Sequence, residues 1–235
     1  IVAHYSRHER AGRLAELLDA ELVAVDGGGV GAGKNHEKCY EWLADSSSPW
    51  VVLLEDDAMP VKDFRNQLMQ VLQAAPKTGL LSLYLGRARP PHWQLSIAQV
   101  IARDEHFLMA SELLHHVAVA IRTDLIPSML TYIRADRNYQ DGVLPIDEAI
   151  GRWARSRSMP VGYCHPSIVD HNHRLDTVIR QHVSQHKTDD GHRRAAEERR
   201  AWAFGVRNGW ETSTAIIPDP INAYPAGAGS SPLKR

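Results

Sequence analysis

Four short apolar runs constrain this chain more than any other feature: "IVAHY" (1–5), "ELVAVD" (21–26), "WVVLLE" (50–55) and "LLSLYL" (80–85). Between them, apolar residues return at helical spacing. Ala11, Leu14, Ala15 and Leu18 follow the first run, Cys39, Tyr40 and Leu43 the second, and Phe64, Leu68, Val71 and Leu72 the third. This βαβαβαβ order predicts an α/β fold, a single domain whose mostly parallel central sheet is flanked by helices on both faces. Such sheets bind ligands outside the carboxyl ends of their strands. Asn35 is expected to cap the second helix.

The second half is less regular. Residues 86–112 mix arginines, prolines and aromatics and read as a loop with short helical parts. "HHVAVAIR" (115–122) alternates like a strand, and "TDLIPSMLTYIR" follows as a helix. "PIDEAIGRWAR" puts Ile146, Ile150 and Trp153 on one side of another helix, and "YCHPSIVDHNH" reads as a short strand and loop. "GHRRAAEERRAW" reads as a charged, solvated helix, and the Pro/Gly-rich tail over 211–235 as flexible. The expected division is 1–112, 113–210 and that tail.

With 27 basic against 28 acidic residues and a net charge of −1, no global field favours nucleic acid or an anionic membrane. No apolar run approaches the roughly 20 residues that span a bilayer. The sequence opens in a strand-like run with no charged leader, and its 2 cysteines cannot build a disulfide framework, so a reducing, cytoplasmic setting is expected.

The third run ends abruptly: "PWVVLLEDDAMP" (49–60) drives apolar residues straight into Glu55, Asp56 and Asp57. Along a strand, alternate side chains share a face, so Glu55 and Asp57 are expected to point together and Asp56 away. Two such carboxylates suit a hard divalent cation, Mg²⁺ or Mn²⁺; the plainer reading is a strand end meeting water. The run "GGGVGAGK" (27–34) is not a Walker loop, because Lys34 is followed by asparagine rather than Ser or Thr. It suits a loop that lets backbone approach a nucleotide, with His36 lining the pocket, capping the helix or packing in the core. Asp26 offers oxygens to a ribose or base, or serves turn chemistry.

"GAGKNHEKCYEW" followed by "LEDD" resembles glycosyltransferases of the lipooligosaccharide and collagen galactosyltransferase type, with Gly31, Asn35, His36 and Tyr40 at the matching spacing. Asn35 stands where those enzymes have serine, Tyr40 where they have tryptophan, and Ala32 where they have cysteine. "AMPVKDF", "LPIDEAI" (144–150) and "PSIVDHNH" (166–173) continue the resemblance.

The resemblance implies a GT-A fold whose first half, 1–112, binds a nucleotide-diphosphate sugar, a UDP-sugar by expectation, while 113–210 faces the acceptor. It implies Mn²⁺ or Mg²⁺ held by Asp57, Glu55 and a late histidine, His171 by spacing, with His165 and His173 as alternatives. That cation would stabilise the charge that builds on the leaving diphosphate. His4, Ser6, Arg7, Asp26, Asn35, His36, Glu55 and Asp56 would contact the donor. Asp147, or Glu148 beside it, would be the general base that deprotonates a hydroxyl of a glycan or protein acceptor. Apart from the resemblance, the 86–112 stretch with Arg87, Arg89 and Trp93 is where the acceptor is expected. A metal-dependent phosphoesterase or hydrolase, or a catalytically silent sugar-nucleotide-binding module, are the rival classes.

Overall fold

The computed structural model describes residues 1–172, 199–212 and 215–216. Strand β1 (Val2–His4) leads through a 3-10 turn (Tyr5–Arg7) into helix α1 (His8–Leu18), and strand β2 (Ala24–Asp26) leads into α2 (Ala32–Leu43). Strands β3 (Trp50–Leu54) and β4 (Ala58–Pro60), helix α3 (Phe64–Ala74) and strand β5 (Leu80–Ser82) follow. Then come α4 (Pro91–Arg103), β6 (Phe107–Ala110), β7 (Ala118–Arg122), α5 (Ile126–Ala135), α6 (Arg137–Gln140) and α7 (Ile146–Ser156). Strands β8 (Val161–Cys164), β9 (Val169–His171) and β10 (Ala215–Ile216) complete the described elements.

The α/β class holds, but the sheet is mixed rather than mostly parallel. The six-stranded sheet runs β10-β6-β8-β5-β7-β3, and β7 lies antiparallel between β3 and β5. The pairs β5–β8 and β10–β6 are parallel, and β6–β8 is antiparallel. The parallel pair β1–β2 joins the other edge through a parallel bridge from Val2 to Glu55. The carboxyl ends of β1, β2, β3, β5 and β8 therefore share one edge, and β7 starts there.

Helices cover both faces, and side-chain alternation sorts them. Val51 and Leu53 of β3 and Val119 and Ile121 of β7 enter one core with Tyr40, Trp93, Met129 and Trp153. Leu54, Ala118 and Ala120 enter the other, with Ala11, Leu14, Phe64 and Val71. Each helical face expected from periodicity lands in a core.

Three local expectations change. Asn35 does not cap α2, because the helix starts at Ala32 behind Gly31 and leaves Asn35 inside it. The stretch 86–112 is not a loop: Pro91 opens the 13-residue α4, the first-turn position where a missing N–H costs nothing, and β6 follows. The run 80–85 is strand only over its first three residues. Residues 191–198 of the charged segment expected to be helical lie outside the described residues, as does most of 211–235, while 199–202 at its end are turn and bridge rather than helix.

Helix α7 meets the segment before β7 at very close range. A Cβ on Gly151 would stand 2.9 Å from the backbone nitrogen of Leu113, and one turn earlier Asp147 accepts a hydrogen bond from His115 N. Alanine at 151 gains about 1 kcal/mol of helix propensity but overpacks a backbone contact, at a cost of about 1–3 kcal/mol. Gly151→Ala is expected to lower the urea midpoint; a raised midpoint would show that the contact yields freely.

Candidate functional site

The acids are held where the ends of β1 and β3 meet. Strand β3 stops at Leu54, Glu55 N donates to Val117 O at 3.0 Å, and the chain reverses as Ala58 N bonds Glu55 O at 3.0 Å. Period-two alternation ends at this turn, so Asp56 does not point away from Asp57. Both converge on Arg7, whose Nη1 lies 2.8 Å from Asp56 Oδ1 and 3.1 Å from Asp57 Oδ2. Asp56 also accepts from His4 N at 2.8 Å, and its backbone carbonyl accepts from Arg10 Nε at 2.7 Å. The cation at the strand end is a side chain of the chain itself.

Asp57 is gripped from its other side. Its Oδ2 lies 3.3 Å from His171 Nε2, and its carbonyl accepts from Asn172 N at 2.8 Å. Antiparallel pairing of β4 with β9 sets His171 opposite Ala58. Burial pushes the Asp57 carboxyl up, but His171 and Arg7 outweigh burial and hold it below its ordinary value. Glu55 moves the opposite way: burial raises it, Asp57 and Asp147 raise it further, and His36 only partly offsets them. Glu55 thus feels the charge of two other carboxylates, one near it in the chain and one on α7. Asp57 Oδ1 and His171 Nδ1 are buried without a hydrogen bond, and a carboxylate oxygen with free lone pairs fits the hard cation expected here.

The remaining expected residues divide into those at this edge and those occupied elsewhere. His36 is buried in α2 with Nε2 3.3 Å from Glu55 Oε1. Burial lowers its pKa, and Glu55 more than restores it, leaving it raised. Asp147 is half-buried and within electrostatic reach of Glu55 and His36, whereas Glu148 is exposed. Ser6 is exposed and its Oγ pairs with His4 Nδ1 at 2.7 Å. Asp26 accepts from the backbone of Gly28, Val30 and Gly31, folding the glycine loop around itself while Gly28 and Gly31 take positive φ.

The Asn35 amide reaches back to Ala3 O and Ala24 O, tying α2 to β1 and β2. His165 lies by the end of α4, its Nδ1 2.9 Å from Glu105 O, and takes no part in the acid cluster. His173 lies outside the described residues. Of the residues expected near an acceptor, Arg87 is exposed and stacks on Trp202, but Arg89 and Trp93 are buried. Arg89 sits among the rings of Tyr84, Trp93 and Tyr163.

Sequence reasoning passed over His116 and Arg10. His116 is buried, its ring centroid 4.5 Å from that of His36, because β7 pairs Ala118 with Leu54 and draws the residues just before it to Glu55. The doubled histidine in "HHVAVAIR" is the only sequence signal, and the sequence does not say what it would meet. No protein-family model matches this sequence, and none of the curated proteins searched matches it.

A carboxyl whose folded pKa is lowered stabilises the fold above its ordinary value, near 3.8 for Asp57, and that contribution vanishes as pH falls through the folded value. Asp57→Asn is therefore expected to cost about 1.5–3 kcal/mol near pH 7, the worth of hydrogen bonds to charged groups. Its deficit against the parent protein should close on acidification below about pH 4. Urea titrations of both proteins across that range read the gap; a gap independent of pH would show that Asp57 is not held ionised.

Proposed function

We propose that this protein is a glycosyltransferase that moves a sugar from a nucleotide-diphosphate sugar, with a UDP-sugar expected, to a hydroxyl of a glycan or protein. One arrangement carries the reading: Glu55 and Asp57 follow β3 at the sheet edge where β1 and β2 also end, and Asp147, in the first turn of α7, lies within electrostatic reach of Glu55. The resemblance of the glycine-to-acid segment to lipooligosaccharide and collagen galactosyltransferases supports the same assignment.

In this reading a donor lies along the ends of β1 and β2, beside the loop that Asp26 organises. Arg7 brings a fixed positive charge to the place where the diphosphate would rest, and such a charge favours the developing leaving group. Asp57, Glu55 and His171 would hold Mn²⁺ or Mg²⁺, which supplies Lewis-acid charge for the departing diphosphate. Asp147 receives the proton of the acceptor hydroxyl. Glu148, exposed on the next residue, faces solvent instead. The GT-A architecture belongs to this proposal.

Incubation with Mn²⁺ and each common sugar nucleotide, followed by nucleoside diphosphate release, tests the reading. Slow donor-specific release is expected; cleavage of generic phosphate esters would indicate a phosphoesterase, and silence a binding module. Once an acceptor is found, Asp147→Asn should lower transfer by about 10²–10⁴-fold while donor affinity by calorimetry stays unchanged. Unchanged transfer would remove the base from α7.

A further inference from the structure

Inside the acid edge lies a second donor set. One ligand atom each from His36, Glu55 and His116 lies within 4.8 Å of the other two. The three come from different segments: the first turns of α2, the residue after β3, and the approach to β7. Both imidazoles are more than nine-tenths buried, and His36 Nε2 and His116 Nδ1 have no hydrogen bond.

The protonation of His36 sharpens the point. Its Nδ1 lies 2.7 Å from Ala32 O, and a carbonyl only accepts, so Nδ1 carries a proton. In the neutral ring, Nε2 is then a bare lone pair 3.3 Å from the Glu55 carboxylate oxygen. Two acceptors facing each other need a positive centre between them, either a proton or a metal ion. The separation fits a metal ion as well as a proton: a tetrahedral ion with bonds of about 2.0–2.1 Å has edges of about 3.3 Å. The supporting contacts also match. Metal-bound histidines are held by a hydrogen bond at the other ring nitrogen, as Ala32 O holds His36, and the Tyr40 hydroxyl lies 2.6 Å from His116 Nε2.

We propose that His36, Glu55 and His116 bind one borderline divalent cation of the Zn²⁺ or Co²⁺ class. Two imidazoles and one carboxylate favour such ions over Mg²⁺ or Ca²⁺, which take oxygen donors. The site goes beyond the transferase reading and stands whether or not the protein moves a sugar. Glu55 is shared with the acid edge, but Asp57 and His171 are not needed. An ion bound here ties α2, the end of β3 and the start of β7 together.

The protein, stripped with a chelator and dialysed, is titrated with Zn²⁺, Co²⁺ and Mg²⁺, with calorimetry and the visible spectrum of bound Co²⁺ as readouts. One equivalent of Zn²⁺ or Co²⁺ is expected, with a Co²⁺ spectrum of nitrogen ligation that excess Mg²⁺ leaves unchanged. His36→Gln, Glu55→Gln and His116→Gln should each weaken binding by more than the 10–100-fold typical of losing a supporting partner. Tyr40→Phe, which keeps all three ligands, should fall within that about 10–100-fold range. The double variant Asp57→Asn/His171→Asn should retain the ion, although donor-dependent activity would fail if the transferase reading is right. Circular dichroism identifies any variant that unfolds; the remaining variants then decide. Loss of binding in the Asp57/His171 variant with the three ligands intact would assign the ion to the acid edge and overturn the proposal. So would undiminished binding in folded His36→Gln and Glu55→Gln, or a preference for Mg²⁺.

Discussion

The grip of Arg7 on Asp56 and Asp57 is the contact on which the acid-bearing edge of the sheet depends. Three consecutive acids at a strand end repel, and leaving any of them buried and unpaired would be costly. Arg7 comes from the short turn that follows β1, so the interaction that neutralises the acids also fastens the two-stranded β1–β2 unit to the end of β3. The backbone of His4 and the side chain of Arg10 add hydrogen bonds to the same corner. Charge compensation and sheet assembly are one event here.

The three acids then differ in state although they are neighbours in sequence. Asp56 is spent on structure. Asp57, between a guanidinium and an imidazole, is held toward its charged form. Glu55, opposed by two carboxylates and desolvated, is pushed toward its neutral form. Environments that drive nearby carboxyl groups in opposite directions are a physical sign of a functional site, since they prepare different groups for different tasks. His36 and His171 reinforce this difference by pairing with Glu55 and Asp57 respectively.

Much of the layered arrangement was legible from periodicity. Ala11, Leu14, Ala15 and Leu18 bury one face of α1, and Ile146, Ile150 and Trp153 bury one face of α7, because helical spacing reports which side chains share a face. Strand direction was not legible. Ala118 to Arg122 alternate correctly for a strand, but alternation has no polarity, so nothing local announced that β7 would enter antiparallel between β3 and β5. Prolines misled over 86–112, where Pro91 starts a helix instead of breaking one. Asn35 misled because a residue type favoured at caps also serves, once buried, to satisfy two carbonyls of neighbouring strands.

The site divides along the same line. The sequence by itself determined that an apolar strand runs into Glu55, Asp56 and Asp57, and that Asp147 stands in the first turn of an amphipathic helix, since these follow from residue order and helical or strand period. Only the tertiary structure decided that Arg7, 49 residues before Asp56, is the acids' counter-charge. It also decided that His171 meets Asp57 and that His116 lies against His36. These juxtapositions depend on strand register and on which buried charges must be compensated. Register and compensation are set between segments distant in sequence, and no local pattern encodes them.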